Sequence, residues 1–157
     1  MTTTYQYHIE EASPKDASLL SDIAWQSKKH WGYPDAWMEL WRDDLTITAE
    51  LIENNHCCKL LHEGKTAGYA IICSIANGFE IEHCFVLPAY IGKGCGSTLL
   101  KHMLAEAQYQ GTQFDVLADP NAVTFYEKFG FKTVENIPSK PAGRTLPLMR
   151  MVNDGRV

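Results

Sequence analysis

Residues 79–100 read FEIEHCFVLPAYIGKGCGSTLL, and the fold turns on how this stretch divides. Phe79 to Leu87 has the composition of a strand, and Leu99, Leu100, Met103, Leu104 and Ala107 share one face of the helix that follows. Between them Gly92, Gly94 and Gly96 stand at alternate positions. Glycine permits positive φ and close backbone approach, so consecutive N–H groups can point at an anion while the helix N-terminus adds positive potential. The loop is no GxxxxGK[ST] motif, and Ser97 does not complete a dinucleotide fingerprint. It also lies past mid-chain, after antiparallel strands, whereas a dinucleotide loop belongs to a first βαβ unit. The bland alternative is a glycine-rich turn with no ligand.

Upstream, HCCKLLHE, TAGYAIICSIA and FEIEHCFVL are separated by the turn signals Gly64-Lys65 and Asn77-Gly78, which predicts an antiparallel three-strand meander. Before it, Tyr5 to Ala12 reads as a first strand. SPKDASLLSDIAWQSKK follows as a helix, with Ser13 as cap, Pro14 at its first position and Asp16 three residues after the cap. Gly32 and the pre-proline Tyr33 stop it, and Asp35–Trp41 and Thr48–Asn54 read as two short helices. Downstream come a strand Gln113–Ala118, a helix Asn121–Phe129, and strands Phe131–Glu135 and Leu146–Val152, with Ile137–Gly143 as a loop. The order β-α-α-α-β-β-β-α-β-α-β-β predicts a mixed α/β sheet with helices on its faces.

The chain has 157 residues, 45% of them hydrophobic and 21% charged, which suits one domain over 1–157 with a real core. A net charge of -5 opposes a nucleic-acid partner. The longest apolar run, Tyr69–Ala76, is far short of the roughly 20 residues that span a bilayer, and MTTTYQYHIE lacks a signal pattern, so no membrane partner and a cytoplasmic location are expected. Cys57, Cys58, Cys73, Cys84 and Cys95 show no CxxC spacing and read as reduced thiols. The six histidines form no HxxxH or paired Cys/His pattern, so no metal is expected.

The loop resembles the pyrophosphate-binding motif of the Gcn5-related N-acetyltransferases (GNAT), Arg/Gln-x-x-Gly-x-Gly/Ala, with Gly94 and Gly96 in the glycine places and Ile91 standing where Arg or Gln is usual. The segment ADPNAVTFYEKFGF, 118–131, resembles the family's second signature, Asn-x-x-Ala/Lys-x-x-Phe-Tyr-x-x-x-Gly-Phe. Together the two motifs make Phe79 to Phe131 similar to this family in order and in element type. The resemblance implies a GNAT-like, acyl-CoA N-acyltransferase fold with a mixed, mostly antiparallel central sheet flanked by helices, and acetyl-CoA as cosubstrate. It implies cofactor contacts from Phe85, Val86, Leu87, Ile91, Gly92, Lys93, Gly94, Cys95, Gly96, Ser97, Asn121 and Tyr126, with backbone pairing strongest at Val86. Asn121 also reads as a helix N-cap.

Phe125, Phe129 and Phe131 read as core, and Tyr126, beside Phe125, faces another way. The resemblance makes Tyr126 the acid that protonates the departing thiolate, a role open to a phenol that keeps its proton near neutral pH. An alkylamine acceptor is protonated near pH 7, so a base or a water relay must act. Glu80 and Glu82, two apart on a strand, share a face that Cys84 continues, and by resemblance that strand carries the base: Glu82 first, Glu80 second. Cross-strand pairing of surface glutamates is the alternative. His83 is expected on the opposite face in a structural role.

Trp25, Trp31, Trp37 and Trp41 crowd into seventeen residues. Trp25, Trp37 and Trp41 suit packing, while Trp31 and Tyr33 in the turn are the candidates for binding an amine acceptor. Arg144, in KPAGRTLP, either touches an acceptor carboxylate or anchors a loop. The expected function is acetyl transfer to a primary amine, with a small-molecule acceptor preferred and an RNA acceptor disfavoured by the acidic charge. The alternatives are a protein N-terminal or lysine acetyltransferase and a non-catalytic acyl-CoA sensor, and a homodimer is the default assembly.

Overall fold

The computed structural model describes residues 6–154, so Tyr5 of the expected first strand lies outside it. Strand β1 (Tyr7–Glu11) is followed by a 3₁₀ turn at Pro14–Asp16, where the Ser13 N–H donates to Asp16 Oδ2 at 2.9 Å. Helices α1 (Ala17–Lys29), α2 (Asp35–Leu40) and α3 (Ala49–Asn54) come next, α3 capped by the Thr48 hydroxyl accepting from the Leu51 N–H. The meander is β2 (His56–His62), β3 (Lys65–Ile75) and β4 (Gly78–Val86). Then follow α4 (Cys95–Leu104), β5 (Gln113–Leu117), α5 (Val123–Glu127), β6 (Lys132–Pro138) and β7 (Thr145–Val152). One seven-stranded sheet results, ordered β1-β2-β3-β4-β5-β7-β6.

Every pairing is antiparallel except that of β4 with β5. That parallel seam has just two registered pairs, Phe79 with Phe114 and Glu80 with Asp115, beyond which the strands part. The two sheet faces carry separate cores. On one, Leu99, Leu100, Met103 and Leu104 of α4 pack with Ile72, Ile81, Phe114 and Phe131. On the other, Leu20 and Ile23 of α1, Met38 and Trp41 pack on Tyr69 and Ile71. Adjacent Cys57 and Cys58 fall on opposite faces, as strand alternation requires. No described helix is long and apolar enough to cross a membrane.

Several boundaries shift for physical reasons. The first hairpin turns at Glu63-Gly64, both with positive φ (52° and 79°), so Lys65 already belongs to β3. Helix α4 ends at Leu104, leaving Ala107 exposed in a separate 3₁₀ turn rather than on the buried face. The expected loop at 137–143 is shorter, because Ile137 and Pro138 pair with Leu146 and Thr145. Gly78 opens β4 for a reason beyond the turn. With φ 148°, a Cβ there collides with the Gln113 carbonyl at the start of β5. Gly78→Ala is expected to cost about 2 kcal/mol in urea unfolding through this overpacking, and a loss below about 0.5 kcal/mol, the level of an ordinary surface change, contradicts the fit.

Candidate active site

Where β4 and β5 part, a cleft of about 470 Å³ runs between them, walled by the glycine loop, the end of α1 and α5. Alternation in β4 determines what its backbone offers. The Leu87 N–H bonds the Ala67 carbonyl of β3 at 2.8 Å, so the N–H groups of Cys84 and Val86, three residues and one residue earlier, face the gap. Val86 is therefore well placed to pair with an extended ligand, and Phe85 also lines the cleft. Leu87 does not line it, because its N–H is spent on β3 and its side chain packs on the α1 side.

In the glycine loop Gly92 and Gly94 have φ of 80° and 76°, and a Cβ at either would project into open space. Ile91, Cys95, Gly96 and Ser97 line the cleft with them. Lys93 does not: its side chain is exposed, and its carbonyl accepts from the Tyr7 hydroxyl at 2.8 Å. Gly96 lies where a Cβ would come 3.3 Å from the Phe125 ring, so a bare backbone is needed for α4 to approach α5. The positive end of α4 and this open ground in front of the loop fit an anionic pyrophosphate. Ile91 brings no charge, so the cradle works through backbone and helix dipole.

The two neighbours in α5 exchange the expected depths. Phe125 is half-buried and lines the cleft, whereas Tyr126 is buried between Phe125 and Phe131. Burial pushes the Tyr126 phenol well above its ordinary value, so it keeps its proton. Among the described residues its hydroxyl has no protein hydrogen-bond partner, and Tyr126 lines the cleft. Asn121 is not the helix cap: Asp119 is, accepting from the Asn121 N–H at 2.8 Å. The signal was present in the sequence as Asp followed by Pro at the first helical position. The Asn121 side chain instead donates to the Tyr33 hydroxyl and to Asp119.

A bulge rewrites the face carried by β4. Ile71 pairs with His83 but Ile72 pairs with Ile81, so Glu82 is an extra residue without a partner. Before it Ile81 faces α4; after it Cys84 and Val86 do. Cys84 thus does not continue the glutamate face, and His83 does not point away from it: Glu80 opposite Cys73, and His83 opposite Ile71, both face the α1 side. Glu82 lines the cleft and accepts from the Cys73 thiol at 2.5 Å. Glu80 sits at the seam outside the cleft, its carboxyl pushed up by burial and then by the Glu82 and Asp115 charges. Asp115 is buried and gripped by Arg150 at 2.8 and 3.0 Å.

Trp31 is 42% exposed and lines the cleft, but Tyr33 stands behind it. Tyr33 stacks on Trp37 and meets Trp41 edge-on. Its hydroxyl donates to Asp119 at 3.0 Å and accepts from Arg144 at 3.2 Å. Asp119 also takes Lys28 Nζ at 2.5 Å, so one carboxylate ties α1, the turn before α2, the end of β5 and the β6–β7 loop. Arg144 is thereby a loop anchor, with its guanidinium 4.6 Å from the Trp41 ring centroid. All five cysteines are free, and burial pushes those of Cys57, Cys58, Cys84 and Cys95 up to about 12, so none is a ready thiolate nucleophile. No metal-binding group of three is found among the described residues.

A splayed mixed sheet, a glycine loop with open ground before it and a protonated phenol meet at one cleft. A sequence profile of the acetyltransferase (GNAT) domain matches residues 22–152, and the chain belongs to that family. Over 91 residues it is 30% identical to the [ribosomal protein bS18]-alanine N-acetyltransferase of Haemophilus influenzae, an alignment covering 54% of this chain and 62% of that protein. The fold is shared with the PaiA N-acetyltransferase of Thermoplasma acidophilum in complex with coenzyme A, at a TM-score of 0.74 and 20% identity over 94% of this chain and 99% of the other. It is shared too with a GCN5-related N-acetyltransferase from Rhodopseudomonas palustris, at 0.78 and 20% identity over 97% and 99%.

Proposed function

We propose that the chain, read as one domain over 1–157, transfers an acetyl group from acetyl-CoA directly to a primary amine. The observation that carries this is the cleft itself: the glycine loop at Gly92, Gly94 and Gly96, the outward-facing β4 backbone at Cys84 and Val86, and Tyr126 line one cavity. Acetyl-CoA, when bound, supplies an activated thioester carbonyl. Gly94 and Gly96 N–H groups would hold its pyrophosphate and Val86 its pantetheine arm. Tyr126 holds the proton needed on sulfur, and Glu82, the β4 glutamate that lines the cleft, takes the proton from the amine, directly or through water. Positioning both substrates along β4 supplies much of the rate.

The preferred acceptor is a small amine entering past Trp31, in the cytoplasm. The similarity to a bS18-alanine N-acetyltransferase supports a second reading, the α-amine of a protein N-terminus. A panel of small amines set against alanine-initiated peptides separates the two, and sedimentation tests the expected homodimer. The cofactor is tested by calorimetric titration with acetyl-CoA. Gly94→Val places a β-branched side chain at φ 76° in front of the cradle, and at least a tenfold weaker Kd, about 1.4 kcal/mol, is expected. Equal binding by both proteins would remove the cradle from the proposal, and no binding by the wild type would favour a different occupant.

A further inference from the structure

Two buried polar side chains of the cleft have no task in the transfer of the acetyl group. Ser27 is 6% exposed and His83 is 8% exposed, and both line the cleft. Among the described residues neither the Ser27 hydroxyl nor His83 Nε2 has a protein hydrogen-bond partner. Helix spacing explains the first. Leu20, Ile23, Ala24 and Ser27 form the buried stripe of α1, so a stripe that is otherwise apolar ends in a hydroxyl. The bulge at Glu82 explains the second, because it turns His83 onto the α1 side of the sheet. Helix α1 packs against β4, and Trp31, four residues beyond Ser27, and Glu82, beside His83, line the same cleft.

The protons on this wall follow from burial. The Tyr69 hydroxyl is fully buried, keeps its proton because burial holds it well above its ordinary value, and has His83 Nδ1 at 3.1 Å as its one partner among the described residues. A buried hydroxyl spends its proton on the acceptor available, so Tyr69 donates to Nδ1 and the ring proton sits on Nε2. Burial outweighs the Glu82 and Asp44 charges and pushes His83 below its ordinary value, so the ring is neutral near pH 7. Tyr69 stacked at 5.9 Å and Phe85 edge-on at 5.7 Å hold it in place.

We propose that the Ser27 hydroxyl and His83 Nε2–H bind an oxygen of the acceptor, which is therefore an amine with a carbonyl on the neighbouring carbon, as in an α-amino amide or the first residue of a peptide. This deepens the acetyl-transfer reading and rests on it. A carbonyl oxygen has two lone pairs and no proton to place, which matches two donors. Glu82 and His83 are consecutive and both line the cleft, so the amine taken by one and the oxygen taken by the other lie close together. An amine without that oxygen leaves both desolvated donors unpaired, the situation in which a site rejects an analogue most strongly.

The test compares three amines of similar basicity, so that the fraction of free amine does not enter: propargylamine, which has no oxygen, glycinamide, and triglycine amide. In the wild type, kcat/KM for the better of the two carbonyl-bearing amines should exceed that for propargylamine by at least about 100-fold. This preference should fall by at least about tenfold in Ser27→Ala and in His83→Phe, and return in Ser27→Thr, which keeps the hydroxyl. Damage to the fold slows all three amines alike and leaves the ratio unmoved. A wild type without the preference, or a preference untouched by both substitutions, overturns the donor pair while leaving acetyl transfer intact. Triglycine amide ahead of glycinamide assigns the oxygen to a peptide, and the reverse order assigns it to a small amino amide. A wild type that binds acetyl-CoA but acetylates none of the three also overturns the proposal, whereas one that fails to bind acetyl-CoA strikes at the function on which it rests.

Discussion

Asp119→Ala is expected to lower the unfolding free energy by about 3 kcal/mol, the scale for removing one partner of a buried ion pair. The side chains of Lys28, Asp119 and Arg144 are each only 11 to 13% exposed. Without the carboxylate, two cations and the Tyr33 hydroxyl are left facing one another, and the turn before α5 loses its cap. The loss has a ceiling, because burial already holds the Lys28 ammonium below its ordinary value and the lysine can shed its proton. Urea unfolding at pH 7 measures the difference, and a change under about 1 kcal/mol, the range of an exposed pair, contradicts the burial argument. The effect also has a sign in pH. Burial works to raise the Asp119 carboxyl, but Lys28 and the hydrogen bonds to it prevail and hold it below the ordinary value. Its contribution is thus complete above about pH 4 and fades as pH falls through the lower folded value, so wild type and variant should converge in acid.

Tyr126→Phe should leave the fold intact and cut turnover. The substitution removes a single oxygen that has no protein hydrogen-bond partner among the described residues, so stability should change little. If the phenol protonates the departing thiolate, kcat should fall about 100-fold while acetyl-CoA Kd stays within about twofold. The drop should persist across neutral pH, because burial keeps the phenol protonated throughout that range. An unchanged kcat would falsify the assignment of acid to Tyr126 and pass the role to water in the cleft.

The parts of this molecule legible in the sequence are those written in neighbouring residues. Turn dipeptides bracket the meander, the alternate glycines mark a strand-to-helix loop, and the Phe-Tyr-x-x-x-Gly-Phe run marks α5 and its exit. The last two of these carry the resemblance to the GNAT family to which the chain belongs. What escaped depends on residues far apart. The bulge at Glu82 exists because β3 offers one partner fewer than β4, a property of pairing that no single strand displays. It reversed the expected place of His83 and detached Cys84 from the glutamates. The Asp119 cluster escaped similarly, joining residues 91 apart in the chain from Lys28 and 86 from Tyr33. For Phe125 and Tyr126, local geometry correctly separates their directions, but their depths depend on what packs against each, α4 at Gly96 for Phe125 and Phe131 for Tyr126.

The seam between β4 and β5 has a mechanical meaning. Each flanking antiparallel pair is registered over most of its length, β3 with β4 at eight positions and β5 with β7 at five, whereas the seam has two. Two well-laced panels therefore meet along a short stitch, reinforced on one side by Phe114 in the α4 core and on the other by Asp119 reaching Lys28. Local opening follows the weakest set of contacts. The stitch is thus the expected axis of any flexing between the two panels, with the cleft at its far end.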